Sequence, residues 1–387
     1  MNIPRIRHDG LREVTHGEYT LVRYKKPLVD PALAVYRSVV FKGDQLVAFT
    51  PPRSTPLSDF KTTCPDPECA VVREYVDGTM IYLWWSESES NGWRMSTRSC
   101  IDADKVFRRG VEPVRALGSA PVEEKRKTPR MQMEQFIDTF NKGYETASFY
   151  DCLNKNCTYV FSMLDPFAFN VVKPKWASEL FLTNVYRIEG NTVTPVPLES
   201  VYETFPVNSP TMHFFRDYAD IKADLDKRDY AFKGYMLTDP ATGLRTKVLN
   251  PAYLKAHELY GSTPNFNKAV LKCVLEKKSE EILNLGEFDA NMVAIETNTK
   301  RFANLLYSAY LECFVQKKKA HKDYDWTLRI PLYQLHKIYL ETHVRVNKQT
   351  VMNYVYSADR LELMAGILGI ETKHKEKSKD TAPEASV

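Results

Sequence analysis

The chain lacks any apolar run near the roughly 20 residues that a membrane-spanning helix needs. Its opening residues, MNIPRIRHDG, lack the hydrophobic core of a signal peptide. No membrane partner is expected, and the expected compartment is the cytoplasm or a particle assembled there. Strong charge is missing too. The 53 Lys and Arg against 49 Asp and Glu leave a net +4, too little to mark a nucleic-acid binder without local clustering. Seven Cys is an odd count in a chain of 387 residues, which favours free thiols over a disulfide framework. Cys64/Cys69 and Cys152/Cys157 share the form C-x4-C. Zinc sites more often use C-x2-C, and the two pairs lie far apart in sequence, so no metal site is assigned. There is no internal repeat.

What is present is an ordinary globular composition, 43% hydrophobic and 26% charged, in a chain long enough for two domains. Up to about residue 250, short β-like runs alternate with turn residues. YRSVVFKGDQLVAFT, CTYVFSML and LFLTNVYRIEGNTVTPV are examples. Two helical stretches interrupt them. One opens at Thr128-Pro129, an N-cap and first-turn pair, with Met133, Phe136, Ile137 and Phe140 at helical spacing. The other is a broken helix over 198–228. Beyond that the texture turns helical, with AVLKCVLEKKSEEILNL, RFANLLYSAYLECFVQKKK, IPLYQLHKIYLETHV and VMNYVYSADRLELMAGIL each periodic. The fold class is therefore α+β. Residues 1–252 form an antiparallel β-rich domain, 253–370 a helical C-terminal domain, and 371–387 a polar, disordered tail.

The stretch REYVDGTMIYLWW, Arg73 to Trp85, reads as a β-hairpin turning at Asp77-Gly78. It stands third among six short motifs. Tyr36-Arg37-Ser38-Val39-Val40-Phe41 comes first, then Pro51-Pro52-Arg53-Ser54. Tyr75-Val76-Asp77-Gly78-Thr79-Met80-Ile81 follows, then Trp93 with Ser96-Thr97-Arg98-Ser99. Next is Tyr159-Val160-Phe161-Ser162-Met163-Leu164-Asp165-Pro166. Lys233-Gly234-Tyr235-Met236-Leu237 with Arg245-Thr246-Lys247-Val248 closes the set.

In that order the motifs resemble those of the nucleotidyltransferase domain of phage-type RNA ligases. The resemblance is closer still to the ligase-like proteins of large DNA viruses. Asn250-Pro251-Ala252-Tyr253 and the helical region after it resemble the viral group as well. The resemblance implies an antiparallel-sheet, ATP-grasp-like ligase fold. In active members a Lys amine attacks the α-phosphate of ATP, and the adenylate passes to an RNA 5′-phosphate. Carboxylates hold the ribose and Mg²⁺. The resemblance thus implies ATP and Mg²⁺ as cofactors of an active protein and RNA or DNA ends as partners.

This chain departs from that pattern at the reacting positions. Tyr75 stands where the nucleophilic Lys belongs, and a phenol cannot form a lysyl phosphoramidate. Ser162 and Lys233 stand at the two carboxylate positions. The basic positions persist. Arg37, Arg53, Arg98, Arg245 and Lys247, with Asp77 and Gly78, form the candidate nucleotide- and phosphate-binding set, and no metal ligand is assigned. The resulting expectation is a catalytically inactive viral protein, kept to bind nucleic acid or phosphate or as a structural virion component beside other virion proteins. The alternative is an active ATP-dependent RNA ligase with Lys233 as a relocated nucleophile. Tyr82, Trp84 and Trp93 are the aromatic side chains expected to fill the pocket if it has closed.

The basic cluster Gln316–Lys322 ends one helical stretch and complements its dipole, so it reads as a solvated terminus. A nucleic-acid contact there would use Tyr324 and Trp326 to stack bases.

Overall fold

The computed structural model describes residues 1–87, 92–105, 128–143, 148–165, 170–172, 174, 178–260, 265–279 and 289–370. The expected tail, Pro166, and the end of the first C-terminal helical stretch lie outside the described residues. The described residues divide into two compact units, one up to Glu258 and one from Leu259 onward.

Three sheets build the first unit, and every ladder is antiparallel. The first is a meander of β1 (Leu11–His16), β2 (Tyr19–Tyr24), β3 (Val39–Lys42) and β4 (Gln45–Phe49). The second draws on β6 (Thr79–Trp85), β7 (Trp93–Thr97), β8 (Cys100–Ile101), β9 (Cys157–Leu164), β10 (Glu179–Glu189) and β11 (Thr192–Val196). Its order is β11-β10-β9-β6-β7-β8. The third joins β5 (Val71–Glu74) to β12 (Met212–His213), β13 (Gly234–Thr238) and β14 (Arg245–Leu249), in the order β12-β5-β13-β14.

Strand alternation explains why the six-stranded sheet is central. Side chains of successive strand residues point to opposite faces. In β6, Tyr82 and Trp84 enter the core shared with the meander, where Leu21, Val40 and Phe49 meet them. Ile81 and Leu83 enter the opposite core, which is covered by α2 (Pro129–Gly143). Tyr82 and Trp84 are fully buried, and their polar atoms are satisfied. The Trp84 indole donates to Ser96 Oγ at 3.0 Å, and the Tyr82 hydroxyl lies 3.0 Å from Ser38 Oγ. Trp93 packs in the α2 core. All three aromatics are therefore core residues, and none lines the cavity described below.

Helix α2 begins where the sequence predicts. Thr128 Oγ1 accepts from the Met131 amide at 3.2 Å, and Met133, Ile137 and Phe140 are buried. The stretch 198–228 is broken as expected, into α3 (Glu199–Tyr202) and α4 (Tyr218–Leu225) with β12 between them. Helix α1 (Leu57–Thr63) and α4 cover the third sheet through Phe60, Ile221 and Leu225.

The hairpin expectation fails. β5 pairs with β12 and β13, whereas β6 pairs with β7 and β9. Asp77-Gly78 is thus a crossover between sheets. The local pattern of two strands around Asp-Gly is the same in both arrangements. What separates them is the side chain of Asp77, which is buried and anchored elsewhere.

Helix α5 (Pro251–Tyr260) starts at the end of β14, so the boundary expected after residue 252 falls inside a helix. Beyond it the described residues form α6 (Phe266–Leu275), α7 (Asp289–Tyr310), α8 (Trp326–Thr342), α9 (Lys348–Val355) and α10 (Leu361–Ile367). The single helix expected over VMNYVYSADRLELMAGIL is two, because Ser357 adopts an extended conformation between α9 and α10. Tyr324, which a nucleic-acid contact at the neighbouring basic cluster would use to stack bases, is buried. Its hydroxyl approaches Glu312 Oε2 and the Ala309 carbonyl, while Trp326 is half exposed. Among the described residues, no helix is long and apolar enough to cross a membrane.

Candidate functional site

A cavity of about 430 Å³ opens between the six-stranded sheet and the β5-β13-β14 ribbon, a volume in the range of small-ligand sites. The six-stranded sheet contributes an apolar wall, with Met80, Val160, Val185 and Tyr186 among its residues. A bulge in β10 between Leu182 and Asn184 bends this wall, and Thr183 and Asn184 face the cavity there. The opposite wall is cationic and phenolic: Tyr75 follows β5, Lys233 precedes β13, Arg245 opens β14, and Arg37 comes from the segment before β3.

Two glycines let these walls close. A Cβ on Gly78 would lie 2.5 Å from Ser162 Oγ and 2.8 Å from the Met163 carbonyl oxygen in β9. Gly234 has φ +141°, and a Cβ there would lie 2.2 Å from the Val248 carbonyl oxygen across the β13–β14 hairpin. The backbone then joins the motifs directly. The Tyr75 amide donates to the Gly234 carbonyl at 2.8 Å, and the Asn250 amide to the Lys233 carbonyl at 3.0 Å.

Asp77 organises the floor. Its Oδ2 accepts from the amides of Val171 at 3.0 Å and Val172 at 3.2 Å. Its Oδ1 accepts from Lys233 Nζ at 2.9 Å and from the Tyr253 hydroxyl at 3.1 Å. Burial pushes this carboxyl up, but the Lys233 charge and the hydrogen bonds outweigh it, so the group sits below the usual aspartate range. Four donors fill the capacity of one carboxylate. Lys233 Nζ also lies 4.1 Å from the centroid of the Tyr75 ring, a cation–π contact.

Tyr75 sits in an unusual field. Burial raises its phenol, yet Lys233, Lys247, Arg37 and Arg245 together bring it below the ordinary value. Arg245 is buried at 8% exposure, and its Nε has no hydrogen-bond partner. Burial, with the neighbouring Arg37 charge added, lowers its guanidinium to about 10. Among the described residues neither Arg37 nor Arg245 has an ion-pair partner. Buried guanidinium groups are normally paired, because an unpaired one keeps its full desolvation cost. Two unpaired guanidinium groups on one cavity wall offer fork-shaped donors with no acceptor, the geometry that matches a carboxylate or phosphate.

The predicted residues do not all converge. Tyr75, Gly78, Lys233, Arg37 and Arg245 line the cavity, and Asp77 lies beneath it. Arg98 and Arg53 do not. Arg98 stacks on Tyr24, its Cζ 5.1 Å from the ring centroid, and its Nε and one terminal nitrogen have no partner. With Arg23, Lys26, Arg37 and Arg53 it forms a second cationic group, whose mutual repulsion, led by Arg98, lowers Lys26. Lys247 is exposed on β14; it acts on Tyr75 through its field. Ser162 lines the cavity near Gly78 and offers a hydroxyl.

Three participants escaped sequence reasoning: Tyr253, which holds Asp77; Arg73, whose guanidinium pairs with Glu199 and donates to the Pro210 carbonyl; and Lys26. The Asn250-Pro251-Ala252-Tyr253 motif carried a usable signal for the first. Asn250 is buried, donating to the Asp229 carbonyl at 2.6 Å and the Phe232 carbonyl at 2.8 Å, and it presents the next helix with Tyr253 on it.

The Mg²⁺ that the resemblance implies does not fit these donors. Asp77 is saturated, Glu199 is paired with Arg73, and Lys233 occupies a position expected to hold a carboxylate. Among the described residues no group of three His, Cys, Asp or Glu is placed to hold a metal ion. All seven Cys are free thiols.

No family model matches the chain, and no curated protein does. Solved structures do. A Naegleria gruberi RNA ligase mutant with AMP and Mn aligns at TM-score 0.38 and 14% identity, over 54% of this chain and 58% of that one. Another mutant, with ATP and Mn, aligns at TM-score 0.34 and 16% identity, over 49% and 52%. A third Naegleria gruberi RNA ligase mutant, without ligand, aligns at TM-score 0.35 and 14% identity, over 55% and 65%. The chain spans less than two thirds of each of these ligases.

Proposed function

We propose that this chain is an RNA-ligase-like protein that binds a nucleoside 5′-phosphate, free or at the end of an RNA strand, and does not form a lysyl-adenylate. The single observation that carries the reading is Arg245, buried and unpaired beside Arg37 on the wall of a nucleotide-sized cavity. The apolar wall suits a base and ribose, and the cationic wall suits a phosphate.

The motif order supports the ligase-like fold, and the residues at the reacting positions support loss of ligation. Tyr75 offers oxygen where an amine is required. Lys233 reaches the cavity, but its nitrogen is committed to Asp77 Oδ1 at 2.9 Å, turned to the floor and away from a nucleotide's phosphorus. A role among the components of a viral particle rests on the resemblance at Asn250-Pro251-Ala252-Tyr253 and the helices after it.

The test uses purified full-length protein with ATP labelled in its α-phosphate and Mg²⁺, followed by denaturing gel analysis. The expected result is no acid-labile label on lysine, alongside saturable binding of AMP that falls at least tenfold in Arg245→Met. Label on any lysine overturns the inactive reading. AMP affinity unchanged in Arg245→Met overturns the phosphate site.

A further inference from the structure

We propose that this pocket holds its phosphorylated ligand without a divalent metal ion, the Lys233 ammonium standing where a cation-binding carboxylate would otherwise sit. The inference rests on the nucleotide-binding reading above and deepens it, by naming what neutralises the phosphate.

Among the described residues three carboxylates lie at or beneath the cavity, and two of them, Asp77 and Glu199, are already engaged. Asp77 accepts four hydrogen bonds, two on each oxygen. Glu199 pairs with Arg73. Glu74 lies beside Tyr75 on the cavity wall, and burial, opposed by Arg228, raises its carboxyl above the usual range. Mg²⁺ dehydrates reluctantly, and in nucleotide sites it takes one or two protein carboxylates together with phosphate oxygens. To recruit Asp77 it would have to displace Lys233, an ammonium 2.9 Å from the same oxygen. That exchange would force two cations into one site.

The positive side of the argument is equally local. Arg37, Arg245 and Lys233 line one wall, and the first two have no counter-ion among the described residues. Arg245 keeps a donor nitrogen unsatisfied in a buried setting, so a phosphate oxygen placed there gains a charge-assisted hydrogen bond. The fixed cations are therefore supplied by the chain and are independent of dissolved metal. Lys233 is part of this machinery through its contacts to Asp77 and to the faces of Tyr75 and Tyr253.

The experiment measures AMP binding to the full chain by calorimetry, in excess EDTA and then in excess Mg²⁺ or Mn²⁺. The expected result is affinity equal within about twofold across the three conditions. A companion variant, Lys233→Glu, puts a carboxylate back beside Asp77. It is expected to lose at least tenfold in affinity in EDTA and to recover most of that loss when Mn²⁺ is added. Circular dichroism confirms that the variant is folded. If it is not, Lys233→Gln replaces it, and its EDTA affinity is expected to fall by a similar factor with no recovery in Mn²⁺. Binding of the natural chain that appears only with a divalent ion overturns the metal-free inference and leaves the nucleotide reading standing. No AMP binding under any condition overturns both.

Discussion

Lys233 Nζ lies 2.9 Å from Asp77 Oδ1, across 156 residues of sequence, and both side chains are largely shielded from water. The pair joins the sheet crossover to the start of β13 and so fixes the distance between the two cavity walls. Removing either partner leaves a buried charge, which costs more than the pair itself contributes. Lys233→Met and Asp77→Asn are each expected to destabilise the protein by about 3 kcal/mol. The double variant is expected to lose less than the sum, with a coupling of about 2 kcal/mol. Urea midpoints for the four proteins of the cycle measure this, and additive losses would remove the ion pair from the account.

The same carboxylate gives a pH dependence of known sign. Its folded pKa lies below the unfolded value of about 4. Its contribution is therefore complete above that value and is lost as pH falls through the lower, folded one. The stability gap between the natural chain and Asp77→Asn should be constant near neutrality and should shrink in acid, below about pH 4. Chemical denaturation at a series of pH values reads it. A gap that widens in acid would show the carboxyl to be raised.

Tyr75 should ionise early. The four cations around it favour phenolate, so the difference in ultraviolet titration between the natural chain and Tyr75→Phe should contain one tyrosine with a midpoint below 10. In Lys233→Met that midpoint should rise, since the strongest of the opposing charges is gone. A midpoint at or above the free-phenol value in the natural chain would mean that burial outweighs the cations.

Arg245 should cost stability when no anion is bound. Arg245→Met replaces an unpaired buried charge by an apolar chain of similar reach, and it is expected to raise stability of the ligand-free protein by about 1 kcal/mol while weakening AMP binding. Thermal melts with and without AMP separate these effects. A less stable variant would show that the guanidinium has an internal partner.

Gly234→Ala should be severe. The added methyl meets the Val248 carbonyl oxygen, a backbone atom that cannot turn aside, and the backbone there has a positive φ. A loss of about 3 kcal/mol or more is expected, together with loss of AMP binding, because Lys233 moves with the strand. Denaturation midpoints check the first and calorimetry the second.

Some of this was legible in the residues. Thr128-Pro129 announced α2 because capping and first-turn preferences are local. The aromatic and β-branched run Ile81-Tyr82-Leu83-Trp84 announced a strand. The partners of those strands were not legible. Tyr75 to Gly78 read as a hairpin turn because a turn and a crossover use the same few residues, and only contacts made with Val171, Lys233 and Tyr253 separate them. Arg98 illustrates the same limit. Its motif context placed it with Arg245, but its side chain lies on Tyr24, in the neighbouring cluster. Charge reversal at position 233 was visible from the first, whereas the carboxylate that answers it was not, since Asp77 was read with the nucleotide-binding set and lies 156 residues from Lys233 in sequence.

The four-way grip on Asp77 also sets a timetable. Its donors come from residues 171, 172, 233 and 253, so a nascent chain emerging from the ribosome cannot lock the cavity floor until the start of α5 has cleared the exit tunnel. The meander of β1 to β4 has no such wait, because its neighbours follow one another along the chain. A chain truncated before Tyr253 would retain that meander and lack the last donor to the floor.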